Sequence, residues 1–263
     1  MEMKRFFLIA LIIITCAGGV YANWFVSANG SDENTGSTAD KPVRTLNRAL
    51  HLAGNTIWKK ITIIGTLDIN SEGESRQPSV FTLSSSPFFL DGEIIITGNP
   101  EATGAEKAVL SGIGSNKGVL LITNLKIRLE HIEISGGEGD LGNGMFILNN
   151  SEVIIGPGVV VKSNKTAGIG IMGRSTCLID GGDIRENGTV GVVAAENSNL
   201  TLRNGTIRGN LGGGLEIQAN SHFTMSGGSV TGNRLGGVLA LGRFDQTGGT
   251  ISDNDGRNII RPR

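Results

Sequence analysis

Four segments of similar sequence decide the fold: GGDIREN at residues 181–187, NGTIRGN at 204–210, GGSVTGN at 227–233 and GGTISDN at 248–254. Each segment ends in asparagine, with an aliphatic residue three positions earlier. A fifth asparagine precedes them, in the series Asn164, Asn187, Asn210, Asn233 and Asn254. The first three gaps of this series are 23 residues each, and the last is slightly shorter. A period of this length that includes its own turn residues predicts a solenoid, in which each repeat forms one coil and stacks on the next.

Each repeat contains three short stretches in which apolar and polar residues alternate. In residues 198–220 these stretches centre on Leu200, Ile207 and Leu215, and Gly, Asn and Ser residues separate them. Alternation with a period of two is typical of β-strands, and the separating residues favour tight turns. The sequence therefore predicts an all-β fold, a parallel β-helix with about 23 residues per coil.

The coils must stack because one repeat cannot fold alone. Burial of five aliphatic side chains contributes roughly 1.5–3 kcal/mol each, whereas ordering a repeat costs about 1–2 kcal/mol per residue in backbone entropy. Residues one period apart should therefore lie above one another on the inside of the solenoid. Two such columns are Cys177, Leu200, Phe223 and Phe244, and Ile169, Val192, Leu215 and Val238.

The five asparagines are interpreted as a structural ladder. An inward asparagine at a turn can bond its amide to the asparagine of the next coil, as stacked amides do in cross-β assemblies. The alternative is that this column faces a ligand. Glycines stand four residues after the first four asparagines, with Asn258 in the fifth place: Gly168, Gly191, Gly214 and Gly237. We expect positive φ at this column, because glycine adopts it freely and asparagine tolerates it.

Residues 1–22 have the features of an export signal. A basic start at residues 4–5 is followed by an apolar stretch at 6–14 and by small residues that suit cleavage after Ala22. The alternative is a lipoprotein signal that ends before Cys16, whose preceding residues resemble a lipobox. We therefore expect a secreted or outer cell-surface protein, lipid-anchored through Cys16 in the second case.

Residues 23–60 differ from the repeats and are expected to precede the coils. They predict a short strand, a loop rich in Gly, Asn, Asp and Ser, and an amphipathic helix from Pro42 to about Ala53. Such a helix would cap the open end of the solenoid. Asp32 and Asn34 place oxygen atoms at alternate positions of the loop, which suits either Ca²⁺ or a turn.

The coils themselves are expected over residues 61–263, with the most regular repeats from 150 onward. The opening WFVSANGSDENTG at residues 24–36, with Pro42 and Thr45 after it, resembles secreted bacterial right-handed parallel β-helix proteins of the pectate-lyase-like superfamily. The four repeat segments resemble coils of the same group. This resemblance implies a right-handed β-helix, but that fold hosts lyases, hydrolases, adhesins and inert spikes, so it implies no single activity.

Five charged residues of two neighbouring repeats are the candidate catalytic residues: Asp180, Asp183, Arg185, Arg203 and Arg208. Asp180 stands one period before Arg203, so the two strands that hold them should lie about 4.8 Å apart. Resemblance to the lyases implies acidic residues that hold Ca²⁺ and an arginine that abstracts a proton, whereas a hydrolase needs two placed carboxylates. The other interpretation is a solvated charged face with surface ion pairs.

Composition and motifs favour a protein without catalytic activity. The formal net charge of −1 argues against nucleic acid as a partner. The chain has no phosphate-loop, zinc or nucleophile-elbow motif. We expect an exported surface scaffold or adhesin-like binding protein, with a carbohydrate or another host or cell-surface molecule as its ligand. The alternative is a polysaccharide lyase or glycoside hydrolase that acts on acidic glycans.

The predicted cofactor set is empty apart from Ca²⁺ at Asp32 and Asn34. The final repeat suggests self-association through the C-terminal coil, because an exposed strand edge can pair with another chain. Pro262 and the arginines beside it act against such pairing.

Overall fold

The protein folds as a solenoid of parallel β-strands. The structure is a computed structural model, and it describes residues 22–54, 59–69, 81–84 and 92–261. The predicted export signal and Cys16 therefore lie outside the described residues, apart from Ala22. No helix in the described ranges is long and apolar enough to cross a membrane.

From residue 59 onward, each coil contributes one strand, or half of a long strand, to each of three stacks, and the strand before it joins the first stack alone. The first stack contains β1 (Ala22–Ser27), β2 (Lys59–Ile64), β5 (Glu93–Thr97), β8 (Lys126–Glu130), β11 (Glu152–Ile155), the first halves of β14 (Thr176–Arg185) and β16 (Asn199–Arg208), β18 (His222–Met225) and β21 (Arg243–Gln246). The second contains β3 (Thr66–Asp68), β6 (Val109–Ser111), β9 (Glu133–Ser135), β12 (Val160–Lys162), the second halves of β14 and β16, β19 (Ser229–Thr231) and β22 (Thr250–Ser252).

The third stack is an eight-stranded sheet among the described residues. It contains β4 (Phe81–Ser84), β7 (Leu120–Thr123), β10 (Met145–Leu148), β13 (Ile169–Ile171), β15 (Val192–Ala194), β17 (Gly213–Ile217), β20 (Gly236–Ala240) and β23 (Ile259–Ile260). We call the turns that join the second stack to the third the second corner.

The register of the strands confirms the predicted stacking of like residues. Cys177 pairs with Leu200, Leu200 with Phe223, and Phe223 with Phe244. The rings of Phe223 and Phe244 are stacked with centroids 4.9 Å apart. Ile184, Ile207 and Val230 likewise follow one another in the second stack. Nearly all of these inward side chains are below 5% exposed, so they form one continuous core along the solenoid axis.

Coil length varies although the strands stay in register. In the first stack, Ile94 pairs with Ile127, and Ile127 pairs with Val153. Val153 in turn pairs with Cys177, and each of these three coils is shorter than the one before it. The additional residues of the early coils lie at the corners, including a 3₁₀ turn at Gly104–Glu106. The difference in coil length is therefore located in the corner loops, while the strands of the three stacks remain paired.

One short helix packs at the N-terminal end of the core. Helix α1 spans Leu46–Ala53, and its Leu46, Ala49, Leu50 and Ala53 are buried. Thr45 is the N-cap, and its Oγ1 accepts a hydrogen bond from the Arg48 N–H at 3.1 Å. The apolar side of α1 packs on β1 and β2, as expected of a capping helix.

The helix begins four residues later than Pro42, so that part of the prediction is wrong. Val43 forms a parallel bridge with Val26, and its N–H donates to the Phe25 carbonyl at 2.9 Å. The residues before Thr45 are therefore held extended against β1. β1 itself pairs along its whole length with β2, so the first stack of the solenoid already begins at Ala22.

Candidate functional site

The asparagine side chains form a hydrogen-bonded ladder inside the second corner. Each Nδ2 donates to the Oδ1 of the asparagine in the following coil at 2.9–3.0 Å, in the order Asn164, Asn187, Asn210, Asn233 and Asn254. The same Oδ1 accepts the backbone N–H of the preceding asparagine at 3.0–3.3 Å. The first four side chains are at most 2% exposed, so they face the core and not a ligand in solvent.

Both ends of the ladder are satisfied. At the N-terminal end, the Gly137 N–H donates to Asn164 Oδ1 at 2.9 Å. At the other end, Asn254 Nδ2 donates to Asn258 Oδ1 at 2.9 Å. Since buried amides without partners are costly, this closure allows a polar column to remain in an otherwise apolar interior.

A second buried ladder, which the sequence-based predictions do not include, is formed by serines. In each step of this ladder, the backbone N–H of one serine donates to the Oγ of the serine in the following coil. The distances are 3.2 Å from Ser151 to Ser175, 3.3 Å from Ser175 to Ser198 and 3.2 Å from Ser198 to Ser221. All four are at most 2% exposed. These serines recur at a nearly constant spacing in the sequence. Each stands two residues before a member of the inward column that contains Cys177.

The glycine column is required by close packing, so the expectation of positive φ there is wrong. Gly168, Gly191, Gly214 and Gly237 are not among the residues with positive φ. A Cβ on Gly214 would lie 2.5 Å from Cγ1 of Val230 and 2.8 Å from Nδ2 of Asn233. Left-handed φ values of 53–63° occur instead directly before each ladder asparagine, at Ser163, Glu186, Gly209, Gly232 and Asp253.

The candidate charges on β14 and β16 are brought together by the stacking of their coils. Arg203 Nη2 is hydrogen-bonded to Asp180 Oδ2. Arg208 binds Asp183 with two contacts, Nε to Oδ1 at 3.1 Å and Nη2 to Oδ2 at 2.9 Å. Arg185 Nε lies 2.9 Å from Asp183 Oδ2, although its N–H has no aligned acceptor. All five candidate residues are therefore paired within their own cluster.

Hydrogen bonds within these pairs shift the pKa of three of the five groups. The hydrogen bond from Arg203 lowers the pKa of Asp180, and the same bond raises the pKa of Arg203. The hydrogen bond to Asp183 raises the pKa of Arg208. Each shift favours the charged form, because an opposite charge stabilises it. An arginine that is held protonated is a poor proton acceptor.

The predicted calcium ligands bind other groups of the protein. Asp32 Oδ1 accepts the N–H groups of Arg44 and Thr45, both at 2.9 Å, and Oδ2 accepts the Thr45 hydroxyl at 2.7 Å. Asn34 Nδ2 donates to the Pro42 carbonyl at 2.8 Å. In the described ranges, no cluster of three or more His, Cys, Asp or Glu side chains could hold a metal ion. Asp32 and Asn34 fasten the loop to the segment that leads into α1.

A polar face on the first stack was not predicted from the sequence. On its outward side, Asn199 lies beside His222, and Thr201 beside Thr224. His222 Nε2 lies 2.9 Å from Asp245 Oδ2. Hydrogen bonds lower the pKa of Asp245, first from Arg243 and also from His222. We call this surface the polar face: Thr176, Asn199, Thr201, His222, Thr224, Arg243 and Asp245.

A groove of about 770 Å³ opens on the second corner, beside the asparagine ladder. Ile113 and Glu138 line it from the long loops of the early coils, and Lys165 and Glu186 from the tight turns that follow. Glu186 Oε2 lies 2.7 Å from Arg185 Nη1. In the part of the chain that the structure describes, Lys165 Nζ has no ion-pair partner.

The comparisons with known proteins agree with this architecture. The model of the family described as "Right handed beta helix region" matches residues 94–259, which is more than half of the chain. The chain therefore belongs to the right-handed β-helix family. No curated protein matches it.

Among solved structures, the chain is similar to that of pectate lyase Pel9A. The TM-score is 0.50 at 15% identity, and the match covers 85% of this chain and 69% of the other. At this identity the likeness concerns the fold alone.

Proposed function

We propose that the protein is an exported, non-catalytic β-helix scaffold that presents a binding surface at the cell surface or outside the cell. The observation on which this rests is the pairing of all five candidate catalytic charges with one another. A lyase of this fold needs carboxylates open to Ca²⁺ and a base that can accept a proton from the substrate. Here both carboxylates are bound by arginines, and these hydrogen bonds raise the pKa of Arg203 and Arg208.

The polar face is the surface proposed to bind the ligand. Its hydroxyl, amide and imidazole groups repeat along and across parallel strands, with Thr201 above Thr224 and His222 beside Arg243. Neighbouring strands are about 4.8 Å apart, so donors and acceptors recur over an extended, nearly flat area. A hydroxyl-rich ligand such as a cell-surface carbohydrate suits this arrangement.

The competing function is a polysaccharide lyase or glycoside hydrolase for acidic glycans. The purified protein is to be incubated with acidic polysaccharides in the presence of Ca²⁺, and both unsaturated uronides and new reducing ends are to be measured. We expect neither product. Product formation that is lost in the Asp183→Asn variant would overturn the proposal.

Binding requires its own experiment. Immobilised glycans, neutral and acidic, are to be probed with the protein and with the double variant Thr201→Lys/Thr224→Lys, whose long side chains would cover the polar face. We expect the variant to lose binding, whereas Ser229→Lys on the second stack retains it. Equal binding by the two variants would contradict the location of the surface.

Export and anchoring are tested by fractionation of cells that produce the full chain. We expect the protein outside the cytoplasm, with a mass that shows either cleavage after Ala22 or a lipid on Cys16. A Cys16→Ser variant separates these two cases, because it abolishes membrane attachment only if the cysteine is acylated. Retention of an uncleaved chain in the cytoplasm would contradict the proposal of export.

A further inference from the structure

Exposed apolar residues are concentrated on the second corner. In the described ranges, six large apolar side chains are exposed, and four of them lie on this corner: Ile113 at 62%, Leu141 at 70%, Leu211 at 56% and Leu235 at 67%. The corner is continuous, since a Cβ on Gly136 would contact Ile113 and the Leu235 N–H donates to the Gly212 carbonyl. Exposed apolar side chains that cluster in this way mark association surfaces.

Their order along the solenoid axis is symmetric. Ile113 follows β6 and Leu141 follows β9, on two successive coils. The next two coils are polar at this corner, where Lys165 follows β12 and Glu186 follows β14. Leu211 and Leu235 then occupy the two coils after those. Large exposed apolar side chains thus occur on the first two and the last two of these six coils, where Asp140 and Arg234 are exposed beside two of them, and not on the middle two coils.

A surface with this order is complementary to itself when a second copy runs in the opposite direction. A two-fold axis between the two polar coils places Ile113 opposite Leu235 of the other copy, and Leu141 opposite Leu211. It also places Lys165 opposite Glu186. Lys165 has no ion-pair partner among the described residues, and the side chain of Glu186 is 54% exposed despite its contact with Arg185.

The shape of the corner changes at the same place. The loop at residues 136–144 occupies nine residues between β9 and β10, whereas the turn at 186–191 between β14 and β15 has six. The groove lies where the long loops give way to tight turns. In an antiparallel pair, the long loops of one copy would lie over the tight turns of the other.

We propose that two copies of this chain associate through their second corners about this two-fold axis. The six coils span about 24 Å, from five steps of about 4.8 Å. A contact of this length and of corner width lies at the small end of specific interfaces, so we expect a weak dimer that forms with increasing concentration. The proposal does not depend on the proposed function.

Sedimentation velocity over a concentration series tests the dimer. We expect the full chain to pass from monomer to dimer, and Leu211→Asp to weaken the dimer at least about tenfold, as for a buried anchor residue. Leu241→Asp is the matched control, because Leu241 is also an exposed leucine, at 50%, but lies outside the second corner. Thermal unfolding of each variant shows whether its fold is intact.

Exchange of charge tests the two-fold geometry. Lys165→Glu alone and Glu186→Lys alone should each remain monomeric, because like charges meet in both of their homodimers. An equimolar mixture of these two variants should form a heterodimer, since both contacts then join opposite charges. The mixture is informative because the opposite charges at positions 165 and 186 meet only between one copy of each variant.

The outcomes decide the proposal. Dimer formation that is weakened by Leu211→Asp and restored in the mixture of charge variants supports it. A chain that stays monomeric at high concentration would overturn it. So would a dimer that Leu241→Asp weakens as strongly as Leu211→Asp does, or a mixture of charge variants that stays monomeric.

Discussion

The asparagine ladder predicts a loss of stability that depends on position. Replacement of Asn210 by alanine removes the Oδ1 that accepts both the backbone N–H of Asn187, at 3.1 Å, and its Nδ2, at 3.0 Å. The Nδ2 group keeps the Val161 carbonyl at 3.2 Å, but the backbone N–H keeps no acceptor. An orphaned buried donor costs about 1–3 kcal/mol, so we expect Asn210→Ala to lower the free energy of unfolding by about 2–4 kcal/mol.

The end of the ladder should be less sensitive. Asn164→Ala removes the acceptor of one donor only, the Gly137 N–H. We therefore expect a loss of about 1–3 kcal/mol, smaller than at Asn210. Asn199→Ala is the control, because this asparagine is exposed on β16 and its replacement should change stability by less than about 0.5 kcal/mol.

Urea unfolding, followed by circular dichroism and by hydrogen exchange, measures these differences. The comparison is valid only if both probes give the same transition and the m-value, the slope of the unfolding free energy against urea concentration, does not change. These conditions are needed because long repeat arrays can unfold in parts. A loss at Asn210 no larger than that at Asn199 would refute the reasoning that buried amide partners hold the second corner together.

Three further predictions concern packing and charge. Gly232→Ala should cost only about 1–2 kcal/mol, because its φ of 63° is strained for alanine while the added Cβ meets no atom closer than 3.9 Å. Gly214→Ala should cost more, since its Cβ would lie 2.5–2.8 Å from the next coil, and thermal unfolding compares the two. Burial raises the pKa of Cys177 to about 12, so its thiol should react with a thiol reagent only after urea unfolds the chain, and rapid reaction of the folded protein would contradict this. Because Asp180 has a lowered pKa in the folded state, its contribution to stability is present above its unfolded pKa and is lost as pH falls through the folded value. Arg203→Ala should raise that pKa in an NMR titration yet change stability by less than about 1 kcal/mol, as for an exposed ion pair.

The inward columns could be predicted because two simple regularities coincide. Alternation along a strand and a fixed period between coils together place Ile184, Ile207 and Val230 in one buried row, whatever the details of the turns. The same regularities predicted that Asp180 would lie beside Arg203. For these two sets of contacts, which join residues one period apart, the sequence was sufficient.

Other features depend on geometry that a period does not specify. The sequence predicts a positive φ at the glycine column, whereas at Gly214 the constraint is the close approach of Val230 and Asn233 in the next coil. The predicted start of α1 is wrong because Val43 pairs with Val26 through the backbone, and a side-chain pattern does not indicate such pairing. The groove lies between coils of unequal length, and the repeat period does not predict the positions of the residues in their loops.

Variation in coil length has a consequence for how this fold can change. Long early coils and short late ones keep their inward residues in register, apart from a local shift at Asp180 between β14 and β16, because the surplus residues leave the cylinder at its corners. An insertion at such a corner alters the outline of the molecule without disturbing the hydrophobic rows inside it. The shape of the surface can therefore change independently of the packing of the core. Loops that bind new ligands can be inserted at the corners while the stacked strands stay the same.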